Sequence, residues 1–158
     1  MGEPAGIGPE VIVKALCDPV LRHKAHFIIY GMNELLHYAA DIAEFDVFWW
    51  RDQYNGRLRN YPHDVVVVDY RMPRMNGVEM IARVRAKDAT ARIILLSSVV
   101  EPLGLTEENT GADVVIAKNA AEPTHLARSI KRLLNRAPLR KPPGRQKGGA
   151  PRARAMAR

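Results

Sequence analysis

Short apolar runs and helical stripes take turns along this chain. Val65–Val68 is uninterrupted valine, Ile93–Leu96 is uninterrupted aliphatic, and Val114–Ala117 repeats the pattern. Runs of this length without polar alternation mark strands buried on both faces, as in parallel sheets. His26–Tyr30, ended by Gly31, and the aromatic-rich Phe45–Trp50 predict two further strands. Helical spacing lies between the runs. Leu35, Leu36, Ala39, Ala40 and Ala43 form one stripe, Val78, Ile81, Ala82 and Val84 a second, and Leu126, Ile130, Leu133 and Leu134 a third. Gly8-Pro9-Glu10 opens a helix predicted to end near Cys17, before Asp18-Pro19. Thr106, followed by Glu107 and Glu108, caps a short one.

Strands alternating with helices require a parallel sheet, helices on both sides and right-handed crossovers. Five strands at 26–30, 45–50, 65–69, 93–97 and 114–117 predict an α/β fold, a doubly wound, flavodoxin-like sheet in the order 2-1-3-4-5. Sheets of this kind bind ligands beyond the carboxyl ends of their strands. Asp69 stands at such an end, and Pro73 with Asn76-Gly77 predicts a sharp turn from there into the next helix. An acid before a turn is, alone, most often a turn or cap residue. The polar segment 51–63, with Asn55-Gly56, offers no helix and reads as a junction.

What lifts Asp69 above a turn residue is its company. Asp69-x-x-Met72-Pro73-x-x-Asn76-Gly77 resembles the phosphoacceptor loop of response-regulator receiver domains. Arg92–Ser98, ending in the hydroxyl of Ser97, is similar to the fourth receiver strand, and Gly111–Lys118 to the fifth, which ends in a lysine. The ordered trio spans roughly residues 60–135. The front of the chain resembles another family. Met1-Gly2-Glu3-Pro4-Ala5-Gly6-Ile7-Gly8-Pro9-Glu10, running on through Phe48-Trp49-Trp50-Arg51-Asp52, is similar to the start of the 4-hydroxythreonine-4-phosphate dehydrogenases. Two families in 158 residues imply a chimera, natural or engineered. Residues 1–58 are a dehydrogenase-like segment expected to supply strands one and two, residues 59–135 carry the receiver-like strands three to five, and residues 136–158 form a basic tail.

Composition changes the picture only in that tail. It holds eight of the 24 basic residues and no acid, so the formal charge of +7 belongs to the tail rather than to the body. Its Pro, Gly and Ala content predicts disorder. Such a tail can contact nucleic acid or an anionic surface through charge alone, although a solvated tail is the plainer reading. One cysteine, Cys17, excludes an internal disulfide, and no apolar run reaches membrane-spanning length; cytoplasm is the expectation.

The receiver resemblance implies a chemistry. Asp69 would be the phosphoacceptor, taking a phosphoryl group from a histidine kinase or a small acyl phosphate. Ser97 and Lys118 would meet the phosphoryl oxygens, and Mg2+ would be held by Asp69 and the backbone carbonyl of Arg71. Receivers also place an acidic pair at the end of strand one. Here that stretch is Ile29-Tyr30-Gly31-Met32-Asn33, and Glu34 is the nearest acid. Val115 replaces an aromatic residue, and Asn119 replaces the usual proline. Magnesium prefers one or two carboxylates with waters and phosphate oxygens, so weak binding is expected. Two other readings therefore stand beside a working receiver. One is a metal-dead, receiver-like protein-binding module. The other is a truncated relative of the NAD-dependent dehydrogenases, whose catalytic histidines and nucleotide lobe have no counterpart here. Gly6-Ile7-Gly8 before a helix could cradle a phosphate, though helix-start punctuation is the blander account.

Overall fold

Val65 and Val67 face one side of a parallel sheet, Val66 and Val68 the other, and all four are fully buried. That double burial is why the run tolerates no polar residue. A computed structural model describes residues 8–52, 63–118 and 122–136. The expectations for the remainder of the junction (53–62) and for the tail from 137 lie outside the described residues.

The elements follow the sequence pattern closely. Helices α1 (Gly8–Leu16) and α2 (Pro19–Lys24) precede strand β1 (Phe27–Tyr30) and helix α3 (Asn33–Ile42). Strand β2 (Val65–Asp69) leads through a small ribbon, β3 (Arg71–Met72) and β4 (Met75–Asn76), into α4 (Gly77–Lys87). Then come β5 (Ile93–Ser97), the short helices α5 (Val100–Leu103) and α6 (Glu107–Thr110), β6 (Val114–Ala117) and α7 (Glu122–Asn135). Asp18 caps α2 by accepting from the Val20 N–H, a helix that the Asp18-Pro19 break had concealed.

The sheet has four parallel strands in the order β1-β2-β5-β6. Layering is α/β and doubly wound, as expected: α1, α3 and α7 cover one face, and α4 covers the other. The strand count differs. Phe45–Trp50 forms no strand, so the sheet holds four strands among the described residues rather than five. The cause is visible in two neighbouring rings. Phe48 and Trp49 touch edge-to-face at 5.0 Å, and both pack against the same cluster. A strand would send consecutive side chains to opposite faces. Arg22 stacks over Phe48, Trp49 meets His37, and the Trp49 indole donates to Asn33 Oδ1 at 3.2 Å. Anchoring to α2 and α3 has replaced a ladder. Trp50 is left 81% exposed.

The front segment is nonetheless joined to the rest. β1 pairs in register with β2 from Phe27↔Val65 to Tyr30↔Val68, and α1 packs against both α3 and α7. Val11, Ile12, Val13, Ala15 and Leu16 of α1 lie in one buried cluster with Ile94, Ile116 and Leu126. Burying side chains of this size is worth about 1.5–3 kcal/mol each, so α1 belongs to the core. At the opposite end of the sheet, Arg85 of α4 donates to the carbonyls of Gly111 and Ala91 and to Asp113 Oδ2 at 2.8 Å. Asp113 also accepts from the Ile93 N–H at 2.8 Å, so one guanidinium pins the starts of β5 and β6.

Candidate functional site

Of three adjacent strands, β2 ends in Asp69, β5 ends in Ser97, and Lys118 directly follows the last residue of β6. The ladder sets Asp69 beside Leu96 and Ser97 beside Ala117. It extends one step further through Tyr70 N–H to Leu96 O at 2.8 Å and Lys118 N–H to Ser97 O at 2.9 Å. Asp69, Ser97 and Lys118 therefore share the carboxyl edge of the sheet, where a parallel sheet has no further backbone to offer.

Asp69 and Lys118 meet directly. Lys118 Nζ donates to Asp69 Oδ1 at 2.8 Å, with the two side chains only 7% and 11% exposed. The Arg71 N–H donates to the same oxygen at 3.1 Å. One negative and one positive charge thus neutralise each other in a nearly dry setting, the arrangement that a buried carboxylate requires. Ser97 is fully buried, and its Oγ accepts from the Val99 N–H at 3.1 Å, shaping the turn after β5. The serine is placed at the neighbouring strand tip with its oxygen engaged in that turn.

The loop after Asp69 is built from specific backbone demands. Arg74 takes a left-handed φ of 70° between β3 and β4. Asn76 acts as the α4 cap, its side chain accepting from the Glu79 N–H at 2.9 Å. Gly77 is where helix and strand come closest. A Cβ there would lie 2.8 Å from Tyr70 Cα and 2.9 Å from the Asp69 carbonyl oxygen, so the loop needs glycine for proximity. Met72 and Met75 pack on the α4-side core, as gap-fillers rather than ligands.

Two further glycines border the site, though the sequence marked them only as a strand end and a helix start. Gly31 follows the last residue of β1, and a Cβ there would lie 3.9 Å from Asp69 Cβ. Gly8, at the start of α1, touches Lys118: a Cβ there would fall 2.4 Å from both Cε and Nζ. Gly8 reads as helix-start punctuation in the sequence, because a partner 110 positions away leaves no local signal.

The donor set can be weighed against magnesium. Asp69 contributes a carboxylate, one oxygen of which already accepts from Lys118 and Arg71. Glu34, the nearest acid in sequence, pairs instead with Arg51 at 3.0 Å. Among the described residues no group of three acids, histidines or cysteines could hold a metal ion. This is a sparse donor set for magnesium: one carboxylate, half engaged, where the ion takes one or two together with waters and phosphate oxygens.

Comparison with known proteins returns matches to two families. The family model for the response regulator receiver domain matches residues 25–131. Two curated enzymes match shorter stretches. A provisionally named D-threonate 4-phosphate dehydrogenase of Oceanobacillus iheyensis is 45% identical over 47 residues, covering 30% of this chain and 14% of its own. The 4-hydroxythreonine-4-phosphate dehydrogenase of a Synechococcus strain is 47% identical over 36 residues, covering 23% of this chain and 11% of its own. The chain thus spans about a seventh or less of these relatives. Among solved structures, a response regulator protein of Thermotoga maritima, TrrA, in complex with Mg2+-BeF, is 28% identical. That likeness covers 46% of this chain and 62% of the other, with a TM-score of 0.39. No helix among the described residues is long and apolar enough to cross a membrane.

Proposed function

Because the chain belongs to the response-regulator receiver domain family, we propose that it accepts a phosphoryl group on Asp69 as a step in two-component signalling. The observation that carries this reading is the buried Asp69–Lys118 pair at the strand tips, flanked by Ser97. Asp69 Oδ would form the new bond to phosphorus as the bond to the donor breaks. With a histidine kinase as donor, that bond is P–N and the imidazole leaves; with a small acyl phosphate, it is P–O and a carboxylate leaves. Charge on the transferring group is spread over its equatorial oxygens, so positioning and neutralisation matter more than covalent help. Lys118, already 2.8 Å from Asp69, needs only a small shift to follow the charge onto the phosphoryl group. The Ser97 hydroxyl is the second donor at that edge, and the cytoplasm is the place of action. The added charge of about −1.5 to −2 would fall on the Asp69 loop, which is tied to α4 through Gly77.

A second reading rests on the single-carboxylate donor set: a receiver-like module that binds a protein partner without being phosphorylated. One experiment separates the two. The protein is incubated with acetyl phosphate, with and without magnesium, and its intact mass is read beside Asp69→Asn. A phosphoryl adduct on the wild type alone supports the first reading. Folded wild type without adduct, and without saturable beryllofluoride binding, leaves the second.

A further inference from the structure

The contact between Gly8 and Lys118 joins the dehydrogenase-like front segment to the receiver-like site. Lys118 emerges from β6 and reaches Asp69 on β2, two strands away, so its ammonium must cross the edge of β5. Its route runs against the first turn of α1. A Cβ at residue 8 would lie 2.4 Å from Cε and Nζ and 3.0 Å from Cδ, closer than real side-chain atoms come. The obstructed atoms are the end of a flexible side chain, so the lysine would yield rather than the backbone. The atoms that must shift include the Nζ that now sits on Asp69, so the shift falls on the ion pair itself. α1 itself is held by Val11, Ile12, Leu16 and their neighbours against α3 and α7, and cannot swing aside cheaply. The partial positive charge at the amino end of a helix also disfavours retreat of an ammonium toward it.

The geometry points to Gly8 as a positioning residue: through it, α1 forms a wall that holds the Lys118 ammonium on Asp69, so the front segment sets the readiness of the acceptor. This deepens the phosphoacceptor reading and rests on it for its meaning, while its structural content can be tested separately. A purely structural role for Gly8 predicts little change on Gly8→Ala, because alanine at a helix start is at least as favourable as glycine.

The test uses the full chain, with Gly8→Ala, Lys118→Ala and the double variant. The first readout is the rate at which the Lys118 amine is acetylated by acetic anhydride, measured by peptide mass spectrometry against exposed Lys131. Gly8→Ala is expected to raise the relative rate about tenfold, as expected when a buried ion pair opens by the equivalent of one unit in log K. An unchanged rate in a variant that melts like the wild type overturns the inference. The second readout is phosphoryl uptake from acetyl phosphate. Loss of one preorganised donor costs about 10²–10³-fold, so Gly8→Ala is expected to slow uptake at least tenfold, and to have no further effect in the Lys118→Ala background. An undiminished effect in that background overturns the inference as well. If the wild type takes up no phosphoryl group, the functional reading falls, and acetylation alone decides the fate of the wall.

Discussion

Replacing Lys118 by methionine removes the positive half of the site while keeping a long side chain in place. The pair is nine-tenths buried on both sides, so deleting the ammonium strands the Asp69 carboxylate in a poorly solvated position. The Arg71 N–H remains as a donor to Asp69. Breaking such a pair costs about 3–5 kcal/mol, much more than an exposed pair would. The retained amide bond moves the expectation to the lower end, about 3 kcal/mol, which for a domain of this size lowers Tm by roughly 6–12 °C. Removing both charges tells the same story from the other side. Asp69→Leu with Lys118→Met should recover most of the loss, ending within about 1 kcal/mol of wild type, the remainder being the orphaned Arg71 amide. Urea melts at pH 7, at 0.1 and 1 M salt, measure all three proteins. Salt should change the differences little, because a dry pair is poorly screened. A Lys118→Met loss under about 1 kcal/mol would refute the reasoning, showing that water reaches Asp69 freely.

Gly31→Asp should fit without distortion, since its Cβ would stand 3.9 Å from Asp69 Cβ, and it supplies the missing second carboxylate. Two unit charges 4 Å apart interact by about 4 kcal/mol at an effective dielectric of 20, so magnesium affinity by calorimetry should rise more than tenfold; an unchanged isotherm contradicts this. Gly77→Ala should destabilise by about 2 kcal/mol, because the new Cβ meets backbone atoms of Tyr70 and Asp69 that cannot step aside. A denaturation midpoint equal to wild type would count against that close approach. Arg85→Ala should cost about 2 kcal/mol by freeing Asp113 and the Gly111 and Ala91 carbonyls, with hydrogen-exchange protection falling first at the start of β5.

The periodicity of the chain was enough to place most elements and to put Asp69 at a strand end, while Ser97 and Lys118 were singled out by the resemblance to receiver strands. Buried parallel strands must be continuously apolar and helices must carry a stripe, so both leave a local imprint. Phe45–Trp50 misled because its composition favours strand while its contacts do not. Phe48 and Trp49 find Arg22, His37 and Asn33 on the helices instead of a ladder partner. Helix α2 was hidden for a related reason, its signal reduced to the Asp18 cap and a single buried leucine.

What the sequence determined by itself is therefore the alternation of elements, which follows from short-range rules of burial and turn chemistry, and, through its resemblance to receivers, the three chemical groups Asp69, Ser97 and Lys118. Only the tertiary structure decided that the sheet stops at four described strands, that Glu34 turns to Arg51, and that Gly8 lies against Lys118. Those outcomes depend on which surfaces meet across 17 to 110 positions of chain. No local pattern records such a meeting, because either partner is equally at home in its own helix or strand without the other.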